Sequence, residues 1–543
     1  MPVEYETKPC LVKTARGFSV NYKNHLLYSK YNPERNILSI IEKTEFLPGT
    51  IVLCFSPVLK YGLEALAAKL PENCLMLGIE AEPELYKISD EESKELECRK
   101  NSIYKLVPPE EIFGLPQKTE EICQNGKFRR VVYIEFSAGF SLNSNLYIQI
   151  FEACRNSLSQ FWKNHITLVK FGRKYCANLL RNLHLVPQSI EKIKVCKPII
   201  VAGAGESAVE TLKKIKGSGK RSDFFIIAVD AALKTLKALK IRPDAAVCEE
   251  AQAVIARAFT GCKDFRYFFA STTSANSAAR ISPEKTIFYT PIFAKAGFLE
   301  KLEKNGILKF IQEPLGSVGL SATQIALTIR ESQNVPVFVT GLDFSYSIGK
   351  THAENSFHDA ARRASSTKIH SFENFSAAFG SDSIKICGKN GKTAITTTAL
   401  SGYAKLFEYK FSGTKNLFDA GKSGIALGLT QKFPEQDSES FLKNKKETEE
   451  FLLRNEDSGI SEKIEKWLAA EKKALNELKS IFTGKIQLPE NERTEKIKSL
   501  LKDREYLYIH FPDSYNMDFS QSFLNRIRIE TDYFLKIIDP QIP

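Results

Sequence analysis

A glycine-containing turn between an apolar run and an amphipathic segment is the pattern in this sequence that most directly predicts chemistry. The stretch Ile199-Ile-Val-Ala-Gly-Ala-Gly-Glu-Ser-Ala-Val-Glu210 predicts a strand that ends at Gly203 and a helix that follows it. Glycine at 203 and 205 lets the backbone turn tightly. The exposed N–H groups at a helix start bind phosphate, so we expect a nucleotide here. Ser207 and Glu210 also have capping-box spacing, and such turns occur without a ligand as well.

Asp230 is the acidic residue that follows the next apolar run. The glycine turn reads G-x-G-x-x-A, a partial dinucleotide fingerprint, but Asp230 comes later than the roughly 20 positions typical of a ribose-binding carboxylate. An NAD enzyme therefore stays open. Asp230 equally suits a ribose or base in a mononucleotide, or a cap for the helix after it.

Two further blocks place polar residues at predicted strand ends. Glycines recur in Pro314-Leu-Gly-Ser-Val-Gly-Leu-Ser321, just before a predicted helix. The stretch Val339-Thr-Gly-Leu-Asp-Phe-Ser-Tyr346 is another strand end with a polar turn. Asp343 is therefore either a turn carboxylate that bonds nearby amides or a residue that faces a ligand.

Histidine is scarce, with seven in the chain, yet His352, His358 and His370 fall close together. Their spacing matches no zinc motif, so we expect no metal site. An imidazole near a cleft suits general acid–base catalysis, and His352 is nearest to the predicted strand end. The alternative is a surface-loop histidine.

Two other classes of site are excluded by spacing. Neither the lysine-containing stretch that begins at Gly388 nor that at Gly421 completes a Walker loop, since Ile386 and Asn416 stand where its first glycine is required. The 11 cysteines are scattered without a C-x-x-C pair. We therefore expect free, mostly buried thiols in a reducing compartment.

Apolar runs alternate with helical patterns most clearly over residues 191–400. This pattern predicts a doubly wound, mostly parallel sheet of the Rossmann type. A smaller α/β domain is predicted over 1–190 and a helical domain over 401–543. In the last, Ile460, Trp467 and Leu478 lie on one apolar face, which packs on its own domain or docks a partner.

Composition sets the broad class. With 543 residues the chain needs more than one domain, and 43% hydrophobic with 26% charged residues is ordinary for a globular protein. A net charge of +12 is mild over this length and does not indicate nucleic-acid binding. No run is apolar for the roughly 18 residues of a membrane helix, and no secretory signal is visible. We expect a cytoplasmic protein.

Several blocks, in order, resemble the motility-associated factor (Maf) family of bacterial flagellin glycosyltransferases. They are Ser29–Arg35, Val201–Ser207, Ile227–Leu233, Ile241–Glu250, Gly316–Ser321, Gly341–Tyr346 with Gly349–Ala353, and Asn416–Gly424. The central domain of that family is similar to bacterial sialyltransferases that use CMP-sialic acid. The sequence departs from these patterns at Ala204 and Glu206, at Glu249-Glu250, and at Leu315.

The resemblance implies transfer of a nonulosonic acid, such as pseudaminic or legionaminic acid, from its CMP-activated form to Ser or Thr of flagellin. It implies a set of donor-binding residues: Gly203, Gly205, Ser207, Asp230, Ser317, Asp343, Tyr346 and Thr351. Ser317 and Tyr346 would hold phosphate oxygens as the leaving CMP gains charge, and Asp230 would bond ribose or base. His352 would act as the general base. No metal or other cofactor is expected.

Two rival functions remain at this point. The central domain also resembles archaeal 6-hydroxymethylpterin diphosphokinases, which would bind ATP with Mg²⁺. Alternatively, the chain is a non-catalytic factor that binds flagellin. Tight binding of ATP–Mg²⁺ without CMP would indicate the first rival. Flagellin that is still modified to the wild-type mass in His352→Ala would show that the catalytic assignment is wrong.

Overall fold

The computed structural model describes residues 8–93, 102–123, 126–346, 351–370, 382–434, 451–455, 459–514 and 517–539. The chain divides into two compact units. One comprises Met1–Lys170 with His510–Phe519, and the other Phe171–Ile509 with Ser520–Pro543. The division into 1–190, 191–400 and 401–543 stays a prediction.

The first unit is a small α/β fold. Its strands are β1 (Cys10–Thr14), β2 (Gly17–Tyr22), β3 (His25–Leu26), β4 (Thr50–Phe55), β5 (Cys74–Ile79), β6 (Ser102–Val107) and β7 (Arg130–Glu135). The helices are α1 (Arg35–Lys43), α2 (Leu63–Lys69), α3 (Pro83–Ser93), α4 (Leu115–Cys123) and α5 (Ser144–Leu183), the last of which continues into the second unit. Strands β1 to β3 form an antiparallel sheet, and a parallel sheet has the order β6-β5-β4-β7. Strands β4 and β5 are parallel and are joined by α2, so they form a βαβ unit.

The second unit contains the large sheet. Its strands are β8 (Ile190–Lys194), β9 (Ile199–Ala202), β10 (Phe225–Val229), β11 (Ala245–Cys248), β12 (Tyr267–Ser271), β13 (Thr286–Pro291), β14 (Ile311–Gln312), β15 (Val337–Thr340), β16 (Ser383–Cys387), β17 (Thr393–Thr397), β18 (Leu417–Asp419) and β19 (Phe451–Arg454). The order is β18-β15-β9-β10-β11-β12-β13-β8-β19, and β14 pairs with β13. Within this sheet β19 runs antiparallel to β8 and the other described pairs are parallel. Strands β16 and β17 form a separate hairpin.

Helices connect these strands. They are α6 (Ser207–Gly217), α7 (Leu233–Ala238), α8 (Asn276–Ala279), α9 (Gly297–Lys304), α10 (Val318–Ile329), α11 (Phe357–Ser365), α12 (Thr398–Phe411), α13 (Ile460–Phe482), α14 (Glu490–Leu501) and α15 (Gln521–Ile538). Every residue of β9, β10 and β11 is buried, as expected for parallel strands covered on both faces. The α/β fold class predicted from the continuous apolar runs is confirmed.

The strand order reverses at β9. From β9 the chain proceeds through β10 to β13 on one side, whereas β15 and β18 add to the other side. In open α/β sheets, ligands bind beyond the carboxyl ends of the strands at such a reversal. The carboxyl ends of β9 and β15 are therefore the place where a site is expected.

The C-terminal helices bury the apolar stripe that the sequence predicts. Ile460, Trp467 and Leu478 of α13 are buried, and α13 packs against α15. The stripe therefore serves the packing of its own unit. Among the described residues, no helix is long and apolar enough to cross a membrane. The described cysteines are free and mostly buried, and Cys98 lies outside the described residues.

Candidate active site

The backbones of two strand ends approach each other closely at the point of reversal. Strands β9 and β15 pair in parallel, with Ala202 opposite Thr340. A Cβ atom on Gly203 would lie 2.3 Å from the carbonyl oxygen of Gly341, and one on Gly341 would lie 2.6 Å from that of Gly203. Gly341 also has a φ of +71°. Only glycine fits at both positions, so these residues are required for the close packing of the two turns.

The start of α6 is capped by a carboxylate from the loop after β15. Asp343 Oδ2 accepts a hydrogen bond of 3.0 Å from the Ser207 N–H, and Ser207 Oγ donates a second one to Asp343 Oδ1. Ser207 Oγ in turn accepts a bond of 2.9 Å from the Gly341 N–H. The predicted capping box is not formed, because Ser207 bonds across to Asp343 while Glu210 pairs with Lys422.

The backbone N–H groups of the glycine turn are therefore bonded to other groups of the protein. The N–H of Gly203 donates to Thr340 O and the N–H of Gly205 to Gly341 O, each at 2.8 Å. With the Ser207 N–H bound to Asp343, these three donors have protein acceptors. A carboxylate lies where the sequence predicts a phosphate, because the loop after β15 folds onto the helix start.

A buried ion pair lies behind Asp343. Lys389 Nζ is 2.6 Å from Asp419 Oδ2, and these side chains are only 4% and 3% exposed. Burial raises the pKa of Asp343, while the hydrogen bonds from Ser207 and the charge of Lys389 act in the opposite direction. Lys389 entered the sequence analysis only as part of the rejected Walker stretch, and this pair was missed. No local pattern marks it, since Lys389 and Asp419 are joined only by the fold.

The loop that carries His352 is bound to the glycine turn. The Ala353 N–H donates to Ala204 O at 2.7 Å, and Thr235 Oγ1 of α7 donates to Glu354 O at 3.0 Å. Helix α11, which follows the loop, packs against the turn at Asp230–Ala232. The structure therefore brings His352, the glycine turn and the Asp230 segment together at one edge of the sheet.

The ring of His352 is held on two sides. Its Nδ1 lies 3.0 Å from Thr351 Oγ1, and its ring stacks on that of His358 with centroids 4.3 Å apart. Desolvation, with a smaller effect of His358, lowers the pKa of His352 to about 4, so the imidazole is neutral at pH 7. Among the described residues, this ring makes its hydrogen bond through Nδ1 and none through Nε2. His370 is exposed.

Asp230 is almost fully buried, at 5% exposed. Its Oδ1 accepts a hydrogen bond of 2.7 Å from the Ala231 N–H, which is the local cap considered from the sequence. Desolvation raises the pKa of Asp230 to about 7, the Ala231 bond lowers it, and the nearby Glu250 and Glu249 raise it further. A carboxyl group with this pKa can both donate and accept a proton near neutral pH.

Glu249, a departure from the family pattern, is part of the same edge. It accepts a hydrogen bond of 2.6 Å from Ser321 Oγ of α10, and desolvation raises its pKa. Sequence reasoning did not assign Ser321 or Glu249 to the site. Their position directly after β11 and in the first turns of α10 was the available signal.

Ser317 and Tyr346 lie at the margins of this edge. Ser317 precedes α10, is partly exposed, and its side chain makes no capping bond. The Tyr346 N–H donates to Ile395 O at 2.7 Å, which ties the loop after β15 to the β16–β17 hairpin. Both residues come from loops at the carboxyl ends of the strands, as predicted.

Two buried asparagines from α5 hold neighbouring loops at this edge. Asn178 Nδ2 donates to Ala251 O and to Thr273 O, each at 3.0 Å. Asn182 Nδ2 donates to Thr272 O at 3.0 Å and to Ser274 O at 2.9 Å. These bonds fix the segments after β11 and β12. Within the part of the chain that is described, no group of three or more His, Cys, Asp or Glu residues is arranged to hold a metal ion.

Comparisons with known proteins agree with this architecture. A family model described as 6-hydroxymethylpterin diphosphokinase MptE-like matches residues 174–349. An uncharacterized protein of Treponema pallidum (strain Nichols) is 30% identical over 569 residues, covering 98% of this chain and 95% of that protein. A solved structure, the MAf glycosyltransferase from Magnetospirillum magneticum AMB-1, matches with a TM-score of 0.58 and 13% identity over 98% of this chain and 92% of its own. The last match is one of fold, and it confirms the resemblance drawn from the sequence.

Proposed function

Because the chain belongs to one family with the Treponema pallidum protein and has the fold of a Maf glycosyltransferase, we propose that it is a glycosyltransferase. The observation that carries this proposal is the meeting of His352, the glycine turn and Asp230 at the carboxyl ends of β9 and β10. That is where α/β proteins bind nucleotides. The ordered sequence blocks shared with the Maf family support the same conclusion.

The proposed donor is a nonulosonic acid activated as its CMP derivative, and the proposed acceptor is a Ser or Thr hydroxyl of flagellin. The acceptor oxygen forms a bond to the anomeric carbon. The bond between that carbon and the phosphate oxygen breaks, and CMP leaves with the electron pair. The hydroxyl proton passes to a base of this protein. The activated sugar is a substrate, and the proposal includes no further cofactor.

In this proposal His352 takes the proton through Nε2. Its Nδ1 is turned toward Thr351 and its ring is stacked on His358, so the ring has a fixed orientation. A neutral imidazole is the form that accepts a proton, and the lowered pKa keeps His352 in that form. Thr351 then positions the ring, in addition to its proposed contact with the donor nucleotide.

The remaining predicted residues divide into two groups in the proposal. Asp230, Ser317 and Tyr346 contact the donor, with Asp230 at ribose or base and the two hydroxyls at phosphate oxygens. Gly203, Gly205, Ser207 and Asp343 position them, because their polar groups are already bonded within the protein. Because the carboxylate of Asp343 occupies the start of α6, the phosphate of the donor is bound by the hydroxyl groups of Ser317 and Tyr346 in this proposal.

A second candidate function is pyrophosphoryl transfer from ATP. It is favoured by the match of residues 174–349 to the family model described as 6-hydroxymethylpterin diphosphokinase MptE-like. In that case the carboxylates of Asp230 and Glu249 would face Mg²⁺ bound to ATP. A third candidate is a non-catalytic factor that binds flagellin. In that case the protein has the same fold, and His352 has no catalytic role.

Calorimetric titration with CMP and with ATP–Mg²⁺ tests the proposal. We expect CMP to bind the wild-type protein and to bind Ser317→Ala at least tenfold more weakly. Ser332→Ala, an exposed serine away from this edge, is the matched control and should bind as the wild type does. Binding of ATP–Mg²⁺ without binding of CMP would replace the proposal with the diphosphokinase. We further propose that the reaction takes place in the cytoplasm.

A further inference from the structure

Two partly exposed tyrosines that the proposed function does not use lie at the carboxyl edge of the large sheet. Tyr403 of α12 packs on the turn before α10, since a Cβ atom on Gly316 would lie 3.0 Å from Tyr403 Cε1 and 3.5 Å from its Oη. The ring of Tyr403 also lies 6.5 Å, between centroids, from that of Phe344 in the loop after β15. The hydroxyl group of Tyr403 is therefore next to the residue that precedes Ser317.

The second tyrosine, Tyr175, is placed at the same edge by α5. Asn178 lies three residues later, on the same side of α5, and donates to Ala251 O at 3.0 Å. The ring of Tyr175 packs on that of Phe293, which follows β13, with centroids 5.5 Å apart. Tyr175 is thus held near the segments that follow β11 and β13.

Two carboxylates of the segment after β11, those of Glu249 and Glu250, are close to Tyr175. Desolvation raises the pKa of Tyr175, and the charges of Glu250 and Glu249 raise it further, with a smaller effect of Tyr403. Glu249 accepts the bond of 2.6 Å from Ser321 Oγ in the first turn of α10. The two tyrosines and the two glutamates therefore surround one part of the edge, beside the start of α10.

The hydrogen-bonding capacity of these four side chains indicates what they can bind. Within the part of the chain that the structure describes, neither the Tyr175 nor the Tyr403 hydroxyl group makes a hydrogen bond. A phenol hydroxyl both donates and accepts, whereas an ionised carboxylate only accepts. The set therefore suits a ligand with several O–H or N–H donors on one side, and the two rings add apolar contact area. The charges of Glu249 and Glu250 repel a phosphate or carboxylate group at the same place.

We propose that these two tyrosines and two glutamates form the subsite for the sugar ring of the donor, where they bind its hydroxyl and amide groups. This inference rests on the proposed function, in which the sugar is bonded directly to the phosphate at Ser317 and must lie beside it. The carboxylate of a nonulosonic acid then points away from Glu249 and Glu250. Because Glu249-Glu250 departs from the family pattern, the subsite gives this chain a sugar preference of its own.

Calorimetric titration of the full chain with CMP and with CMP-N-acetylneuraminic acid tests the proposal. We expect the wild type to bind the CMP-sugar more tightly than CMP. The Tyr175→Phe/Tyr403→Phe double variant keeps both rings and loses only the hydroxyl groups. Its affinity for the CMP-sugar should therefore fall at least about tenfold, while its affinity for CMP stays unchanged. Tyr409→Phe, at a tyrosine of α12 that is 83% exposed, is the matched control and should bind both ligands as the wild type does.

The outcomes separate failure of this inference from failure of the proposed function. If the wild type binds both ligands and the double variant binds the CMP-sugar equally well, the inference alone is overturned. Equal losses of affinity for CMP and for the CMP-sugar also overturn it, because the hydroxyl groups would then contact the nucleotide, and so does a wild type that binds the CMP-sugar no more tightly than CMP. If the wild type binds neither ligand, the proposed function fails and the inference fails with it.

Discussion

The carboxylate of Asp343 lies against the N–H of Ser207, 3.0 Å from it, at the point where α6 begins. This contact joins the loop after β15 to the turn after β9, two segments whose backbones already touch at Gly203 and Gly341. It also supplies the negative charge that a helix N-terminus favours. A carboxylate of the protein itself thus lies where the sequence led us to expect a phosphate. The loop that carries His352 is bonded to the same turn, through the Ala353 N–H and Ala204 O.

Loss of this carboxylate should destabilise the fold. Asp343→Ala leaves the Ser207 N–H and hydroxyl without their acceptor inside the protein, at a cost of about 2–4 kcal/mol of unfolding free energy. Urea denaturation of Asp343→Ala, Ser207→Ala and the double variant forms a thermodynamic cycle. We expect a coupling energy of at least 1 kcal/mol, and additive effects would show that the two side chains do not interact.

The raised pKa of Asp230 should make stability depend on pH. The folded protein keeps a proton on Asp230 up to a pKa of about 7, whereas the unfolded chain releases it near 3.8. Stability contributed by this group is therefore lost as the pH rises from about 4 to 7. Asp230→Asn should be more stable than the wild type at pH 8, by on the order of 2 kcal/mol, and this advantage should shrink at pH 5. An advantage equal at both pH values would contradict the raised pKa.

The pH dependence of transfer should distinguish the two groups that can take the acceptor proton. A base works only when it is unprotonated, so activity is lost as the pH falls through its pKa. With His352 as the base, the transfer rate should be constant from pH 8 to about 5 and fall near its pKa of about 4. A fall that begins near pH 7 and disappears in Asp230→Asn would assign the base to Asp230 instead.

Gln312 should make the unliganded protein less stable than an apolar residue of similar size at this position would. It ends β14, is 6% exposed, and neither polar atom of its side chain has a hydrogen-bond partner among the described residues. Replacing it by methionine removes an unsatisfied buried amide and should raise the free energy of unfolding by about 1–3 kcal/mol. The exposed Gln333→Met is the control and should change it by less than about 0.5 kcal/mol. A decrease for Gln312→Met would indicate that an ordered water satisfies the amide.

The sequence predicts the fold well because its signals are local. Runs such as Phe225–Val229 are apolar throughout, which is the composition typical of a parallel strand covered on both faces. The stripe containing Ile460 and Leu478 has helical spacing and is buried where that spacing indicates. The periodicity and composition of such a segment are sufficient to predict its secondary structure, because the signal lies within the segment itself.

The site is less predictable because its contacts are not local. Asn178 bonds carbonyl groups 73 and 95 positions away, and Lys389 meets Asp419 only after both have been placed by the fold. The same reason explains the start of α6, where local spacing predicts a capping box with Glu210 and the fold supplies Asp343 instead. The sequence shows which residues have side chains suited to catalysis or binding. The fold determines which of these side chains are already bonded to other groups of the protein.

Intact mass spectrometry of flagellin tests the proposed function most directly. Purified flagellin is incubated with a CMP-activated nonulosonic acid and with the wild-type protein, His352→Ala, or His370→Ala as the exposed-histidine control. We predict that flagellin gains the mass of one or more sugar residues with the wild type and with His370→Ala, and far less with His352→Ala. No mass gain with the wild-type protein, or an equal gain with all three, would contradict the account.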